Sequence, residues 1–106
     1  MNEFTNETIL RIQKIVDRAQ FDYRKEMETT LNGICFAEKI SGTGPYHEED
    51  KLYLRKQEQK YVFFRESIAP MAGNFKWIVL EVEFSELENI NELKCLLELL
   101  KKKLEN

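Results

Sequence analysis

From Thr5 to about Thr29, apolar residues recur at steps of three and four, the spacing that places side chains on one face of a helix. The members of this stripe are Ile9, Ile12, Val16, Ala19, Tyr23 and Met27. Thr5 or Asn6 can cap the first turn, because either side chain can accept hydrogen bonds from its unpaired amides. Asn32 and Gly33 suit the far end, since glycine tolerates the left-handed conformation found there. The pattern predicts a long first helix.

After Gly33 the apolar period changes to two, which predicts β-strands. The four strand-like runs are Ile34–Ile40, Lys51–Gln57, Tyr61–Ser67 and Phe75–Phe84. Short connections between the last three runs favour antiparallel pairing. The first connection, Ser41 to Asp50, contains Gly42, Gly44 and Pro45 and predicts a surface loop.

The helical period returns at Ser85, which has the spacing of a capping box with Glu88. The apolar stripe of this last helix is Ile90, Leu93, Leu97, Leu100 and Leu104, widened by Leu96. Cys95 and Leu99 fall outside the stripe and suggest a second contact. The predicted order is therefore α-β-β-β-β-α, an α+β fold with one antiparallel sheet.

The alternation within the strands predicts which residues share a sheet face. In the fourth strand the purely apolar set is expected to face the helices, and it consists of Ile78, Leu80, Val82 and Phe84. If Leu52 and Leu54 face the helices together with Val62 and Phe64, one set of residues lies on the opposite face. This set is Tyr53, Arg55, Phe63, Arg65, Trp77 and Val79. Because Tyr61 to Phe64 are all apolar, the opposite register of the third strand stays open.

The predicted aromatic and basic face offers a binding surface. Tyr53, Arg55, Phe63, Arg65 and Trp77 are of the residue types that anchor protein interfaces. Rings beside arginines also stack the bases of single-stranded nucleic acid. The alternative is a helix that covers this face and makes it ordinary core.

The first helix carries a second predicted surface, made of Leu10, Arg11, Lys14, Arg18 and Phe21. Such a basic ridge could bind phosphates or an acidic protein. A solvated helix face is the alternative, because acidic residues are interspersed among the basic ones.

Composition narrows the class of protein. With 106 residues the chain has room for one domain, 1–106, and its net charge of -3 excludes a strongly basic, DNA-coating protein. No apolar run reaches the length of a membrane span, and the amino end lacks the pattern of a secretory signal. We expect a soluble, cytoplasmic protein.

No residue cluster has a specific chemical signature. Cys35 and Cys95 lack metal-ligand spacing and are expected to be buried free thiols. His47 lies beside Glu48, Glu49 and Asp50, but this spacing is not that of a zinc-binding helix, and adjacent side chains diverge. We therefore expect no catalytic residue, no metal and no cofactor.

These observations favour a small non-enzymatic protein-interaction module that binds another protein and forms a homodimer. Its size, mild acidity and richness in Lys, Glu and Asn are also typical of accessory proteins of bacteria and phages. Among those are inhibitors of larger host enzymes, such as anti-CRISPR proteins, so an inhibitor is one form of this hypothesis. A nucleic-acid-associated regulator is the first alternative, and an enzyme with an unrecognised site is the second.

Overall fold

The computed structural model describes residues 4–22, 32–71 and 73–106, and it has the predicted element order. Two helices and one antiparallel sheet make an α+β fold. The elements are α1 (Asn6–Val16), β1 (Ile34–Ser41), β2 (Glu48–Gln57), β3 (Lys60–Ala69), β4 (Gly73–Glu83) and α2 (Ile90–Glu105). Short 3-10 turns lie at Gly44–Tyr46 and Phe84–Glu86. No helix among these residues is long and apolar enough to cross a membrane.

The first helix is shorter than predicted. Thr5 caps it by accepting a hydrogen bond from the Thr8 amide, but the helix ends at Val16. The chain then leaves the helix because the backbone of Gln20 binds β4. The backbone N–H of Gln20 donates to the Val79 carbonyl at 2.8 Å, and its backbone carbonyl accepts from the Trp77 indole at 3.1 Å. The prediction of a continuous helix is therefore wrong over 17–22, and its remainder at 23–31 lies outside the described residues.

Gly33 does not have the left-handed conformation that the predicted helix end requires. A Cβ added to Gly33 would lie 2.5 Å from the carbonyl oxygen of Leu54, so this glycine permits a close approach between the chain and β2. The sequence identified a position that requires glycine, but the reason for it is packing between chain segments.

The sheet has the strand order β1-β2-β3-β4, with every neighbouring pair antiparallel. The helices cover one side, which we call the helix face; it carries Leu52, Leu54, Phe63, Arg65, Trp77, Leu80 and Val82. The opposite side, the outer face, carries Tyr53, Arg55, Val62, Phe64, Glu66 and Ile78. β3 therefore has the opposite register, which the continuous apolar run from Tyr61 to Phe64 allowed.

A β-bulge explains why β4 departs from the predicted alternation. Phe63 pairs with Leu80, whereas Phe64 pairs with Ile78, so Val79 is an extra residue in β4. Such a residue breaks the alternation between faces. Leu80 and Val82 lie on the helix face as expected, but Ile78 lies on the outer face with Phe64.

The last helix begins later than predicted. Asn89 caps α2 by accepting from the Glu92 amide, whereas Phe84–Glu86 is a 3-10 turn closed by a capping box between Glu83 and Glu86. The predicted start at Ser85 is therefore wrong, because the chain first turns at the end of the sheet.

The buried stripe of α2 is centred on Leu96, not on Leu97. Its buried members are Glu92, Leu93, Cys95, Leu96, Leu100 and Leu104. Leu97 is only partly buried, and Ile90 is 62% exposed. Cys95, which was expected outside the stripe, is 1% exposed.

Candidate protein-binding surface

The residues predicted to share one open binding face lie on two faces. Phe63 and Trp77 are 0% and 1% exposed in the core of the helix face, whereas Tyr53 and Arg55 lie on the outer face. The predicted single aromatic and basic surface is therefore wrong. Phe63 and Trp77 are closed to a partner by the packing of the fold itself.

Arg65 is also part of the helix face. Its Nε and Nη2 donate to Oδ1 of Asp50 at 3.2 and 2.9 Å, and its Nη1 donates to the Phe21 carbonyl at 3.1 Å. The guanidinium lies over the rings of Phe21 and Trp77, at 5.6 and 5.5 Å from their centroids. These contacts satisfy a charged group in a mostly buried place, so Arg65 stabilises the fold.

On the outer face, Tyr53 stacks on Phe64 with ring centroids 4.9 Å apart. Its hydroxyl donates to Glu66 at 2.8 Å, and Glu66 also lies 3.7 Å from the ammonium of Lys76. Burial, together with the bond to Glu66, raises the pKa of Tyr53, so the hydroxyl stays protonated and acts as a donor. The polar end of Tyr53 is thus engaged within the sheet.

The two arginines of the second predicted surface bind the connection between β4 and α2. Arg11 forms an ion pair with Glu92 and donates to the Glu86 carbonyl at 2.6 Å. Arg18 donates to the Glu86 carboxylate at 2.8 Å and to the Glu81 carbonyl at 3.3 Å. Both guanidinium groups therefore hold the amino-terminal segment to the rest of the fold.

The pKa of Glu92 reflects this contact. Burial acts to raise the pKa, but the hydrogen bonds from Arg11 and from the Glu88 amide outweigh it and lower the pKa. Hydrogen bonding from Arg18 likewise lowers the pKa of Glu86, against a smaller effect of burial. Both carboxylates are therefore held in the charged form.

The other residues of this second surface also divide between core and solvent. Phe21 is 6% exposed and lies beneath the ammonium of Lys103, 5.3 Å from the ring centroid. Leu10 is 66% exposed, and Lys14 is exposed as well. The predicted ridge is therefore not one continuous binding surface.

Of the six large apolar side chains exposed in the described residues, three lie at one end of the sheet, whereas Leu10, Ile34 and Ile90 lie elsewhere. Ile40 at the end of β1, Tyr46 in the β1–β2 connection and Met71 in the β3–β4 turn are 57%, 78% and 78% exposed. The two connections lie at the same end because β2 and β3 are neighbours that pair Glu49 with Ile68. We call Ile40, Tyr46 and Met71 the sheet-end surface.

A tight turn presents Tyr46 at this end. Gly42 has φ +78°, and a Cβ added there would lie 2.0 Å from the carbonyl oxygen of Tyr46. Only glycine fits so close an approach at this φ, and Pro45, the second residue of the 3-10 turn, has a restricted φ of its own. The connection predicted as a surface loop is therefore a compact structure, although Tyr46 was not identified as its exposed residue.

Acidic side chains flank the sheet-end surface. Glu48 is exposed and Glu49 half-buried at the start of β2, and the imidazole Nε2 of His47 lies 3.6 Å from the Glu49 carboxylate. Asp50, the third acid of this run, is 7% exposed and points to Arg65. This end of the sheet thus carries acidic residues as well as exposed apolar ones.

Thiols and carboxylates are side chains that could supply reactive chemistry or bind a metal ion. Within residues 4–22, 32–71 and 73–106, no three His, Cys, Asp or Glu side chains are arranged to hold a metal ion. Cys35 and Cys95 are free thiols; Cys95 is buried as expected, whereas Cys35 is exposed on β1. Burial raises the pKa of Cys95, so this thiol stays protonated and unreactive.

Comparisons with known protein families, with curated proteins and with solved structures found no match for this chain. The function proposed below therefore rests on the residues and the geometry of the chain itself.

Proposed function

We propose that this chain is a non-enzymatic protein-interaction module that binds a partner protein through the sheet-end surface. The observation that supports this proposal is the joint exposure of Ile40, Tyr46 and Met71 at one end of a well-packed sheet. Tyrosine and methionine are enriched in the centres of protein interfaces, and an apolar patch with a polar rim is typical of such a site.

An inhibitor of a larger enzyme is the form of this function that we favour. Tyr46 and Met71 lie on two neighbouring connections that project beyond the strands, at positions where a side chain can enter a concave site. Enzyme active sites are usually concave and mostly apolar. In this proposal the chain acts in the cytoplasm, where its two thiols stay reduced.

The homodimer and the nucleic-acid alternative have less support. An open sheet face carrying Phe63 and Trp77, together with apolar residues of the last helix outside its core stripe, would favour a homodimer, yet Phe63 and Trp77 are buried within one copy. The nucleic-acid hypothesis needs free cations, but Arg11 and Arg18 are paired with Glu92 and Glu86. Light scattering and the salt dependence of binding test these two alternatives directly.

Site-specific photo-crosslinking in expressing cells tests the proposed surface. A photoreactive phenylalanine analogue replaces Tyr46 in one variant and Ile90 in the control, because Ile90 is also exposed, at 62%, but lies on α2. We expect one discrete protein adduct from position 46 and none from position 90. Adducts from position 90 alone, or equal adducts from both positions, would contradict the proposal.

A further inference from the structure

A carboxylate lies between two isoleucines at the end of the sheet that carries the sheet-end surface. Ile40 of β1 pairs with Glu49 of β2, and Glu49 pairs with Ile68 of β3. Because Asp50 points to Arg65 on the helix face, the alternation along β2 places Glu49 on the outer face. Side chains directly opposite each other on neighbouring strands have Cβ atoms roughly 5 Å apart. The three side chains of this row are therefore immediate neighbours.

The chain segments at this end of the sheet carry negative charge only. Residues 40–49, 67–71 and 73–75 contain two glutamates, one histidine and no lysine or arginine. The imidazole of His47 lies 3.6 Å from the Glu49 carboxylate, but it is a cation only when it is protonated. Among the described residues, no lysine or arginine forms an ion pair with Glu48 or Glu49. The charge of both carboxylates is therefore not balanced by a fixed cation.

The cations that adjoin these segments are placed elsewhere. Lys39 precedes the first segment, but it lies on the helix face in register with Asp50. Lys76 follows the last segment, and its ammonium lies 3.7 Å from the Glu66 carboxylate. The side chain of Glu49 is 30% exposed, so its carboxylate can meet a cation from outside the chain.

Charge complementarity selects the occupant of this surface. A second copy of the chain would bring the same two glutamates, and a nucleic acid would bring phosphates, so like charges would face each other in both cases. A protein surface that carries lysine or arginine would instead be attracted. These side chains also have an apolar stem that packs on apolar surface beside the charge. A carboxylate between two isoleucines fits both parts of such a side chain.

We propose that the partner protein presents a basic surface to this end of the sheet. One lysine or arginine of the partner lies along Ile40 and Ile68, and its cation pairs with Glu49. This inference rests on the proposed function, because Ile40 belongs to the sheet-end surface. The exposed Tyr46 and Met71 supply apolar contacts, and Glu49 makes the surface selective for a basic partner.

A displayed library of random peptides, selected on the purified chain, tests this inference. We expect enriched peptides to combine lysine or arginine with apolar residues and to lack acidic ones, and the tightest of them is the probe. Glu49→Lys should weaken its binding about tenfold or more, because like charges then face each other. Glu98→Lys is the matched control, since it makes the same change of charge at an exposed glutamate of α2 and should leave the affinity unchanged.

Glu49→Gln separates the loss of the charge from any loss of the fold. This variant keeps the size of the side chain, so its urea unfolding should match that of the unmodified chain. It should bind the probe about threefold more weakly, as expected for a partly exposed ion pair. Its affinity should also fall less steeply with added salt, because salt screens the contact that the substitution removes.

Three results would overturn the inference. The first is the enrichment of no peptide or of peptides without lysine and arginine, and the second is equal affinity of the probe for Glu49→Lys and Glu98→Lys. The third is a mass of two chains in light scattering that Tyr46→Ala reduces to one, which would assign the surface to a second copy. The crosslinking at position 46 is independent of the peptide selection, so failure of the basic-partner inference is distinguishable from failure of the proposed function.

Discussion

The guanidinium of Arg65 lies on the helix face, where Asp50 and the Phe21 carbonyl accept its hydrogen bonds. Removing a group of this kind leaves its partner charge buried without compensation, which is more costly than losing a surface pair. The side chains of Arg65 and Asp50 are 18% and 10% exposed, so water screens this pair only in part. The stability of the fold is therefore expected to depend on the pair as a unit.

Arg65→Met should lower the free energy of unfolding by about 3 kcal/mol, because Asp50 is then buried without a cation. Replacing both partners, with Asp50→Leu and Arg65→Met, should recover part of that loss, since no charge is left unpaired. Urea unfolding measures both variants. A change within about 0.5 kcal/mol for Arg65→Met would show that the pair is not structural.

The elements α1 and α2 contact each other and the sheet through apolar stripes. Arg11 of α1 binds Glu92 of α2, and Arg18, just after α1, binds Glu86 in the turn before α2. The centre of the α2 stripe at Leu96 determines which leucines stabilise the fold. Ion pairs with Glu86 and Glu92 add a dependence on pH, because both carboxylates have lowered pKa values. Each of these features predicts a measurable change in stability.

Leu96→Ala should destabilise the fold by about 2 to 5 kcal/mol, since it removes a fully buried side chain and leaves a cavity. Leu97→Ala makes the same chemical change one residue away on a partly buried side chain and should cost distinctly less. Chemical denaturation of the two variants gives the comparison. An equal or larger loss of unfolding free energy for Leu97→Ala would instead support the buried stripe expected from the heptad spacing.

Stability should fall in acid through Glu92. Because its pKa is lowered in the folded state, its contribution is complete above the ordinary glutamate pKa of about 4.5 and is lost as the pH falls from there through the folded pKa. Glu92→Gln should be less stable at neutral pH and should show a weaker loss in acid. Circular dichroism as a function of pH follows acid unfolding of the unmodified chain and of the Glu92→Gln variant. The same loss of stability with falling pH in both proteins would argue against this role.

The order of the elements could be predicted because it depends on periods that each segment shows locally. The faces of β3 could not be predicted, since Tyr61 to Phe64 fit either register. The bulge at Val79 in β4 could not be predicted either, because it has no local sequence signal. The end of α1 also depends on distant contacts, because Gln20 binds β4. Asp50 did carry a signal: it alternates with Leu52 and Leu54, which places all three on the helix face.

The whole molecule combines a well-packed helix face with apolar side chains exposed at one end of the sheet. The sheet-end surface was not predicted, because exposure of Tyr46 and Met71 follows from how neighbouring strands bring two connections together. Neither side chain belongs to the core cluster, so both can be changed without unfolding the chain. This separation of stability from binding makes the central claim directly testable.

The most direct test is the affinity of the purified chain for the partner that crosslinks at position 46. Tyr46→Ala combined with Met71→Ala should weaken binding by about 30-fold or more, which corresponds to about 2 kcal/mol, while the unfolding free energy changes by no more than about 0.5 kcal/mol per substitution. Leu10→Ala combined with Ile90→Ala, which also removes two exposed apolar side chains, should leave the affinity unchanged. Equal affinities for both double variants, or a loss confined to the α1 and α2 pair, would contradict the proposal that the sheet-end surface binds the partner.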